Sequence, residues 1–261
     1  MNDVRYIFMV GFPRSGTTLA QSIVMCDDRV FSIPETHLFT KGISSNRLPE
    51  FVSNLWTTWY CYRWIKRYFN ERKFIYNVAM PLLIEGFFKY IADKAKDDNK
   101  SIILEKTPAH LNEIQLISSI FPDAQFIHVI RSYKGAIPSI LKAAGKWQGN
   151  TSPLQAMRRW VAEVFTSEFY SDKYDNHVLF EYDEVVKDRD CVVTKINEQL
   201  SLNILDTSDV RLALFSKSIV DSRENWKKNN LNGFRNVKEC SELNGSAFKK
   251  FAEYLSSIVD K

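Results

Sequence analysis

The residues best suited to chemistry begin at position 11, where Gly-Phe-Pro-Arg-Ser-Gly-Thr-Thr has the composition of an anion-binding loop. The run follows an apolar stretch at 6–10, typical of a strand buried on both faces, and precedes a helical pattern at 19–25. A glycine-containing turn between a strand and a helix directs backbone N–H groups at one point, where the helix N-terminus adds positive potential. We call residues 11–18 the anion loop and predict that they bind a phosphate or a similar group.

The spacing of Gly11 and Gly16 is that of the P-loop motif G-x-x-x-x-G-K-[ST], but Thr17 stands where that motif has lysine. Kinases and nucleoside triphosphatases use that lysine on the β- and γ-phosphates, so its absence counts against both. Arg14 supplies the loop with a cation instead. A turn that only joins a strand to a helix is the alternative, and the specific run Pro-Arg-Ser-Gly-Thr-Thr argues against it.

A second candidate pair is Arg131, at the end of an apolar strand at 124–130, and Ser139 in the following helix. An arginine at the carboxyl end of a parallel strand lies on the ligand-binding side of the sheet. Its guanidinium fork matches a phosphate, and Ser139, two helical turns on, can add a hydroxyl donor. The alternative for Arg131 is a surface salt bridge.

On these residues the chain resembles the sulfotransferases that use 3′-phosphoadenosine 5′-phosphosulfate (PAPS), in a bacterial-type form. The anion loop is similar to their 5′-phosphosulfate loop, and Arg131 with Ser139 is similar to the pair that binds the 3′-phosphate. The run at 180–186 is similar to a stretch whose tyrosine, here Tyr182, lies beside the adenine. The resemblance extends over residues 6–202 and implies PAPS as co-substrate without a metal. It implies these donor-binding residues: Pro13, Arg14, Ser15, Gly16, Thr17, Thr18, Arg131, Ser139 and Tyr182.

Further donor contacts are implied in the C-terminal region, where the family supplies them. Ser222 corresponds to a contact with the phosphosulfate, and Arg223 or Lys227 to a contact with the 3′-phosphate. The chain lacks the Arg-Lys-Gly signature of the cytosolic branch, so these three assignments rest on position alone.

Sulfuryl transfer needs a base near the acceptor hydroxyl and cations around the sulfuryl oxygens. Glu35, in a Glu-Thr pair after the predicted strand at 30–33, is our candidate base, since its spacing from the loop resembles that in tyrosylprotein sulfotransferases. A first-turn carboxylate of the next helix is the alternative for Glu35. His37 and His110 are the competing bases. Lys106 and Arg14 are the predicted charge stabilisers, although Lys106 could equally be a solvated surface cation.

The elements that position these residues alternate between strands and helices, which specifies an α/β fold with a central parallel sheet. Together with the anion loop, the pattern predicts a P-loop-containing three-layer fold, with helices on both faces of the sheet. We predict strands at 6–10, 30–33, 101–104, 124–130 and 178–180. We predict helices at 19–25, 111–120, 133–144 and 183–200.

Composition favours one domain over residues 1–261, with 45% hydrophobic and 25% charged residues and a net charge of +4. A helical, aromatic-rich insert at about 37–98 is expected to form part of the acceptor side. The four cysteines have no metal-ligand spacing, and no run of apolar residues is long enough to span a bilayer. We expect a cytoplasmic enzyme, monomer or homodimer, that binds no nucleic acid.

The sequence thus predicts transfer of a sulfuryl group from PAPS to a hydroxyl, with an amine as the second choice. The acceptor could be a glycan, a small metabolite, a lipid or a tyrosine. A P-loop nucleotide kinase or triphosphatase and a non-catalytic nucleotide-binding module are the alternatives.

Overall fold

A five-stranded parallel sheet forms the centre of the molecule, in the order β2-β3-β1-β4-β5. The structure, a computed structural model, describes residues 4–33, 35–42, 80–144, 151–209, 211–212 and 215. Helices pack on both faces of the sheet, which confirms the predicted α/β fold. The strands are β1 Arg5–Gly11, β2 Val30–Ile33, β3 Ile102–Lys106, β4 Gln125–Ile130 and β5 His177–Glu181.

Seven α-helices lie in the described part of the chain, and none of them is long and apolar enough to cross a membrane. A π-helical turn at Leu38–Gly42 and a 3-10 segment at Pro108–Glu113 follow β2 and β3. The α-helices are α1 Thr17–Val24, α2 Met80–Asp97, α3 Ile114–Ile120, α4 Tyr133–Ala144, α5 Pro153–Lys173, α6 Tyr182–Lys187 and α7 Arg189–Leu200.

Side chains alternate between the two faces of β1, as the pleat of a strand requires. Ile7 and Met9 pack in one hydrophobic cluster with residues of α1 and α7. Phe8 packs in a second cluster on the other face, against Phe88 of α2 and Phe126 of β4. Both faces of β1 are therefore buried, which is why its sequence is a continuous apolar run.

The central place of β1 brings three strand ends together at the carboxyl edge of the sheet. Met9 pairs with Lys106 of β3, and Gly11 pairs with Val129 of β4. Gly11 has φ +136°, and a Cβ atom there would lie 2.2 Å from the carbonyl oxygen of Val129. Only glycine fits at this point, where the chain leaves the sheet and enters the anion loop.

Several element boundaries differ from those predicted. Strand β3 continues to Lys106, so Glu105 and Lys106 are strand residues rather than part of a turn. The predicted helix at 183–200 is two helices, because Asp188 is extended and its carboxylate accepts from the backbone N–H of Cys191 at 3.0 Å. The longest described helix, α5, was not predicted. It starts at a capping box formed by Ser152 and Gln155.

Parts of the predicted aromatic-rich insert at 37–98 are helical, namely Leu38–Gly42 and Met80–Asp97. Residues 43–79, which carry most of its aromatic side chains, lie outside the described part of the chain.

Candidate functional site

The anion loop connects β1 to α1 through two left-handed residues. Arg14 has φ +71° and Gly16 has φ +90°. Gly16 is the N-cap of α1, and a Cβ atom there would lie 2.2 Å from Cδ2 of Tyr182. The turn therefore requires glycine for its conformation and for the close approach of the Tyr182 ring.

The polar groups of the loop include an unsatisfied hydroxyl. Ser15 is fully buried, and its Oγ has no hydrogen-bond partner among the described residues. Thr17 is buried and begins α1, whereas Pro13 and Thr18 are partly exposed. A buried hydroxyl beside a helix N-terminus suits an anionic oxygen, so the loop fits the phosphate-like group that its sequence predicts.

The side chain of Arg14 leads away from the loop toward α4. Its Nε donates to Oγ of Ser139 at 3.2 Å. The sequence predicts Arg14 at the transferred group and Ser139 at the distant phosphate, but the two side chains are in direct contact. Arg14 is thus placed between the two predicted anion-binding elements rather than within the loop alone.

Arg131 follows the last residue of β4, as predicted. Its guanidinium lies over the ring of Tyr182, with Cζ 4.2 Å from the ring centroid. Its Nε is buried without a hydrogen-bond partner in the described structure. Gly135 leaves the room for this side chain, since a Cβ atom there would lie 2.5 Å from the Arg131 Nε. A planar cation held by stacking and with a free donor can bind a phosphate.

Two residues that the sequence analysis did not identify fix the backbone at Arg131. The indole Nε1 of Trp160 donates to the carbonyl oxygen of Arg131 at 2.9 Å. The backbone N–H of Ser132 donates to Oδ2 of Asp183 at 2.7 Å. Asp183 follows Tyr182, so one end of α6 contacts the loop, the arginine side chain and the turn after β4.

A second group of ionisable side chains lies where β2 and β3 end. Nζ of Lys106 is 2.5 Å from Oε1 of Glu35, and Nε2 of His37 is 3.4 Å from Oε2 of the same carboxylate. Lys106 is buried, whereas the side chains of Glu35 and His37 are 25% and 26% exposed. Glu35 is therefore reachable from solvent, and the structure brings the predicted base and cation into direct contact.

Glu105, beside this pair, is a fully buried residue to which the sequence analysis gave no role. Its Oε1 accepts from the hydroxyls of Thr107 and Thr36 at 2.6 and 2.9 Å, and from the backbone N–H of Thr36 at 3.2 Å. Burial raises the pKa of Glu105, and the hydrogen bonds that it accepts from His110 and from the two threonine hydroxyls lower it. Glu105 is therefore an anion with satisfied oxygens.

His110 belongs to this buried network and not to the exposed pair. Its Nδ1 lies 3.0 Å from Oε2 of Glu105, and the backbone N–H of Phe39 donates to its Nε2 at 3.3 Å. The ring is fully buried and both nitrogens are in use, with the proton on Nδ1. This geometry favours His110 as a structural residue over its predicted candidacy as the base.

The structure thus gathers the predicted residues into two groups at one edge of the sheet, because β1 lies between β3 and β4. The predicted contacts Ser222, Arg223 and Lys227 lie outside the described residues. Within the described ranges no three side chains of His, Cys, Asp and Glu are grouped to hold a metal ion.

Solved structures with this fold were found by comparison of the coordinates. The sulfotransferase domain of the olefin synthase of Synechococcus PCC 7002 is 16% identical, with a TM-score of 0.58 over 98% of this chain and 95% of that domain. The sulfotransferase domain of the curacin biosynthetic pathway is 15% identical, with a TM-score of 0.57 over 97% of this chain and 98% of that domain. Identities this low establish a shared fold.

The family itself is identified by sequence. Comparison with curated protein sequences gave no match. A sequence model described as the sulfotransferase family matches residues 6–206. This range contains the anion loop, Glu35, Lys106, Arg131 and Tyr182, and it covers most of the chain. The chain therefore belongs to the sulfotransferase family.

Proposed function

We propose that this chain transfers a sulfuryl group from PAPS to a hydroxyl of an acceptor, or as second choice to an amine. The observation that carries the proposal is the hydrogen bond between Arg14 and Ser139, which joins the anion loop to α4, the helix that follows Arg131. Two anion-binding elements in contact suit a donor with phosphate groups at both of its ends. Membership of the sulfotransferase family supports the same donor.

On the donor side, the anion loop would hold the phosphosulfate, and Arg131 would hold the 3′-phosphate. PAPS supplies the sulfuryl group, and its nucleotide leaves with the electron pair of the broken S–O bond. Tyr182, which packs against Gly16 and under the Arg131 guanidinium, would set the separation between the two anion sites. Arg14, bonded to Ser139, would neutralise charge between them.

On the acceptor side, Glu35 would remove the proton of the attacking hydroxyl. When Glu35 takes the proton, its carboxylate becomes neutral and no longer holds the ammonium of Lys106. The ammonium can then stabilise negative charge on the leaving oxygen. Proton transfer and charge stabilisation are thus linked through the 2.5 Å ion pair.

His37 would carry the proton onward from Glu35. Its Nε2 is 3.4 Å from Oε2 of Glu35, whereas the Lys106 ammonium is paired with Oε1. The ring is partly exposed, so it can exchange protons with water. His37 is therefore assigned as the proton's exit rather than as the first base, and no metal enters the mechanism.

The donor site is tested by calorimetric titration with adenosine 3′,5′-bisphosphate. We expect the wild-type chain to bind it, and Arg131→Ala to weaken binding by about 10- to 100-fold, because a charge-assisted hydrogen bond to phosphate is lost. Arg211→Ala is the matched control, since Arg211 bonds Asp28 and the carbonyl oxygen of Cys26, away from this edge. Equal affinities for wild type and Arg131→Ala would remove Arg131 from the site.

The reaction is tested with labelled sulfate in PAPS and a panel of glycans, phenols, lipids and tyrosine peptides. Transfer to one class would identify the acceptor. Binding of ATP with magnesium, together with no affinity for adenosine 3′,5′-bisphosphate, would contradict the proposal in favour of a phosphoryl-transfer enzyme.

A further inference from the structure

We propose that Glu105 is a positioning residue that holds Glu35 and Lys106 in the geometry needed for proton transfer. The proposal rests on the proposed function, because it concerns the same site. Glu105 does not touch the reacting groups. It acts through the backbone on either side of the catalytic pair.

Glu105 is linked to Glu35 through the backbone of Thr36. Thr36 follows Glu35 directly, and its backbone nitrogen is part of the peptide unit that contains the Glu35 carbonyl. That nitrogen donates to Oε1 of Glu105 at 3.2 Å and to Oγ1 of Thr107 at 3.0 Å. The plane of the Glu35–Thr36 peptide unit is thereby fixed against β3, which sets the direction in which the Glu35 side chain leaves the backbone.

The two residues that flank Lys106 are hydrogen-bonded to each other. Lys106 lies between Glu105 and Thr107, and the Thr107 hydroxyl donates to Oε1 of Glu105 at 2.6 Å. Successive side chains of an extended chain point to opposite faces, so Glu105 and Thr107 lie on one face and Lys106, whose ammonium meets Glu35, lies on the other. One carboxylate oxygen thus anchors both members of the ion pair.

The other oxygen of Glu105 extends the same control to the turn after Glu35. It accepts from Nδ1 of His110, whose Nε2 accepts from the backbone N–H of Phe39. Because the Phe39 amide can only donate, neutral His110 must carry its proton on Nδ1. The network therefore fixes the segment from Thr36 to Phe39, which includes the left-handed residue His37.

Glu105 is a carboxylate in a fully buried position, where an apolar side chain is more usual. Removing a charge from water disfavours folding unless hydrogen bonds replace the lost solvent, and an apolar residue would avoid that cost. At Glu105 the bonds are supplied by the residues that flank the catalytic pair. What the carboxylate adds is a defined geometry for Glu35 and Lys106.

Thr107→Val tests the proposal, because valine keeps the shape of threonine but cannot bond Glu105. We expect kcat for sulfuryl transfer to fall by about 10- to 100-fold, since small misplacements of reacting groups have costs of this size. The affinity for adenosine 3′,5′-bisphosphate, measured by calorimetry, should stay unchanged because no donor contact is altered. Thr107→Ser restores the hydroxyl and should recover most of the rate.

Thr194→Val is the matched control for the chemical change. The Thr194 hydroxyl is on the exposed face of α7 and bonds the Asp190 carbonyl oxygen, so kcat should equal that of the wild type. A Thr107→Val enzyme with wild-type kcat would overturn the positioning role. A wild-type chain that binds neither adenosine 3′,5′-bisphosphate nor PAPS would instead contradict the proposed function.

A spectroscopic readout tests the network without any acceptor. In nitrogen-15 spectra of the histidine side chains, we expect His110 as the Nδ1–H tautomer in the wild type. Glu105→Gln presents amide hydrogens to groups that already donate, so this signature should be lost together with kcat. An Nε2–H tautomer of His110 in the wild type would contradict the hydrogen-bond network and with it the proposal.

Discussion

Arg131 illustrates how neighbouring side chains order a single residue of the proposed donor site. Its side chain stacks on Tyr182, its carbonyl accepts from Trp160, and the next amide donates to Asp183. The guanidinium is therefore held in place by the protein itself, and a phosphate bound there, as we propose, would cost little conformational entropy. Lysine could not replace it, because an ammonium lacks the planar fork and the stacking face.

Glu35→Gln directly tests the proposed base. Glutamine cannot take up a proton, so we expect kcat for sulfuryl transfer to fall by about 10²- to 10⁴-fold. The affinity for adenosine 3′,5′-bisphosphate should remain within about twofold of wild type, because Glu35 has no place among the proposed donor-binding residues. Transfer rates measured with labelled PAPS test the expected fall in kcat, and calorimetry tests the expected unchanged affinity. Should Glu35→Gln remain active, His37 becomes the base.

The loop between β1 and α1 and the place of Arg131 after β4 could be predicted because they lie in short contiguous runs with a known physical role. Glu105 could not, because its role depends on Thr107, His110 and Thr36, which are 2, 5 and 69 positions away. A glutamate in a strand has no sequence pattern that distinguishes it from a solvated one. The contact of Arg14 with Ser139 was missed for the same reason, since 125 residues separate them.

Among the elements, the start of α1 is the most sensitive to a small change. Gly16→Ala places a methyl group in the space of the Tyr182 ring and leaves a non-glycine residue at φ +90°. We expect it to displace Tyr182, loosen the stacked Arg131 and weaken binding of adenosine 3′,5′-bisphosphate by at least about tenfold, with a stability loss of about 1 to 3 kcal/mol. Calorimetry and urea unfolding measure the two effects. Unaltered affinity would mean that Tyr182 does not help to hold the donor.

Strands β4 and β5 are joined by a buried histidine pair. Nε2 of His128 lies 2.8 Å from Nδ1 of His177, and the ring of Tyr170 stacks on both. Burial lowers the pKa of His128 to about 3, with a further contribution from His177, and burial lowers the pKa of His177 to about 4. Both rings are therefore neutral at pH 7, which is what packing between a sheet and α5 requires.

This pair makes the fold sensitive to acid. Below the unfolded-state pKa of about 6.5, the unfolded chain takes up protons that the folded histidines refuse, so stability is present above pH 6.5 and is lost as the pH falls toward about 4. Each histidine contributes at most about 1.4 kcal/mol per pH unit. Urea unfolding of the wild type between pH 7.5 and 4.5 should show this loss.

His177→Phe keeps a flat ring in the stack but removes one titrating group, so its stability should fall less steeply with acid. Glu163 and Glu168 of α5 act in the opposite direction, because burial raises the pKa of each. Both glutamates are present in the wild type and in His177→Phe. The difference between the two slopes of stability against pH therefore reports the contribution of His177. Parallel slopes would contradict the assignment of acid sensitivity to this pair.

Over the whole molecule, the proposed catalytic residues lie at one edge of the sheet and a stabilising hydrogen-bond network lies at the other. At the amino edge, Asp27 is buried and accepts from Arg29 and from the backbone N–H of Asn203, at 2.6 and 2.7 Å. Arg5 of β1 also donates to the carbonyl oxygen of Leu200. These bonds hold residues 200–203 against the sheet, far along the strands from the anion loop.

Asp27→Ala should lower the stability of the fold without changing the proposed donor site. We expect it to lower the free energy of unfolding by about 2 to 3 kcal/mol, since hydrogen bonds to a charged group are lost. Because Asp27 lies at the other edge, the affinity for adenosine 3′,5′-bisphosphate should not change. Thermal unfolding and calorimetry test the pair of outcomes, and a large loss of affinity in a folded Asp27→Ala protein would contradict this division.

The strand order has a consequence for how the chain is made. β1 is synthesised first, but its two neighbours begin only at Ile102 and Gln125. At about 5 to 20 residues per second, a ribosome needs on the order of 5 to 20 s to supply the first of them. Throughout that interval an apolar segment built to be covered on both faces has no strand to pair with. The innermost strand of the finished sheet is thus exposed on the nascent chain until β3 has been made.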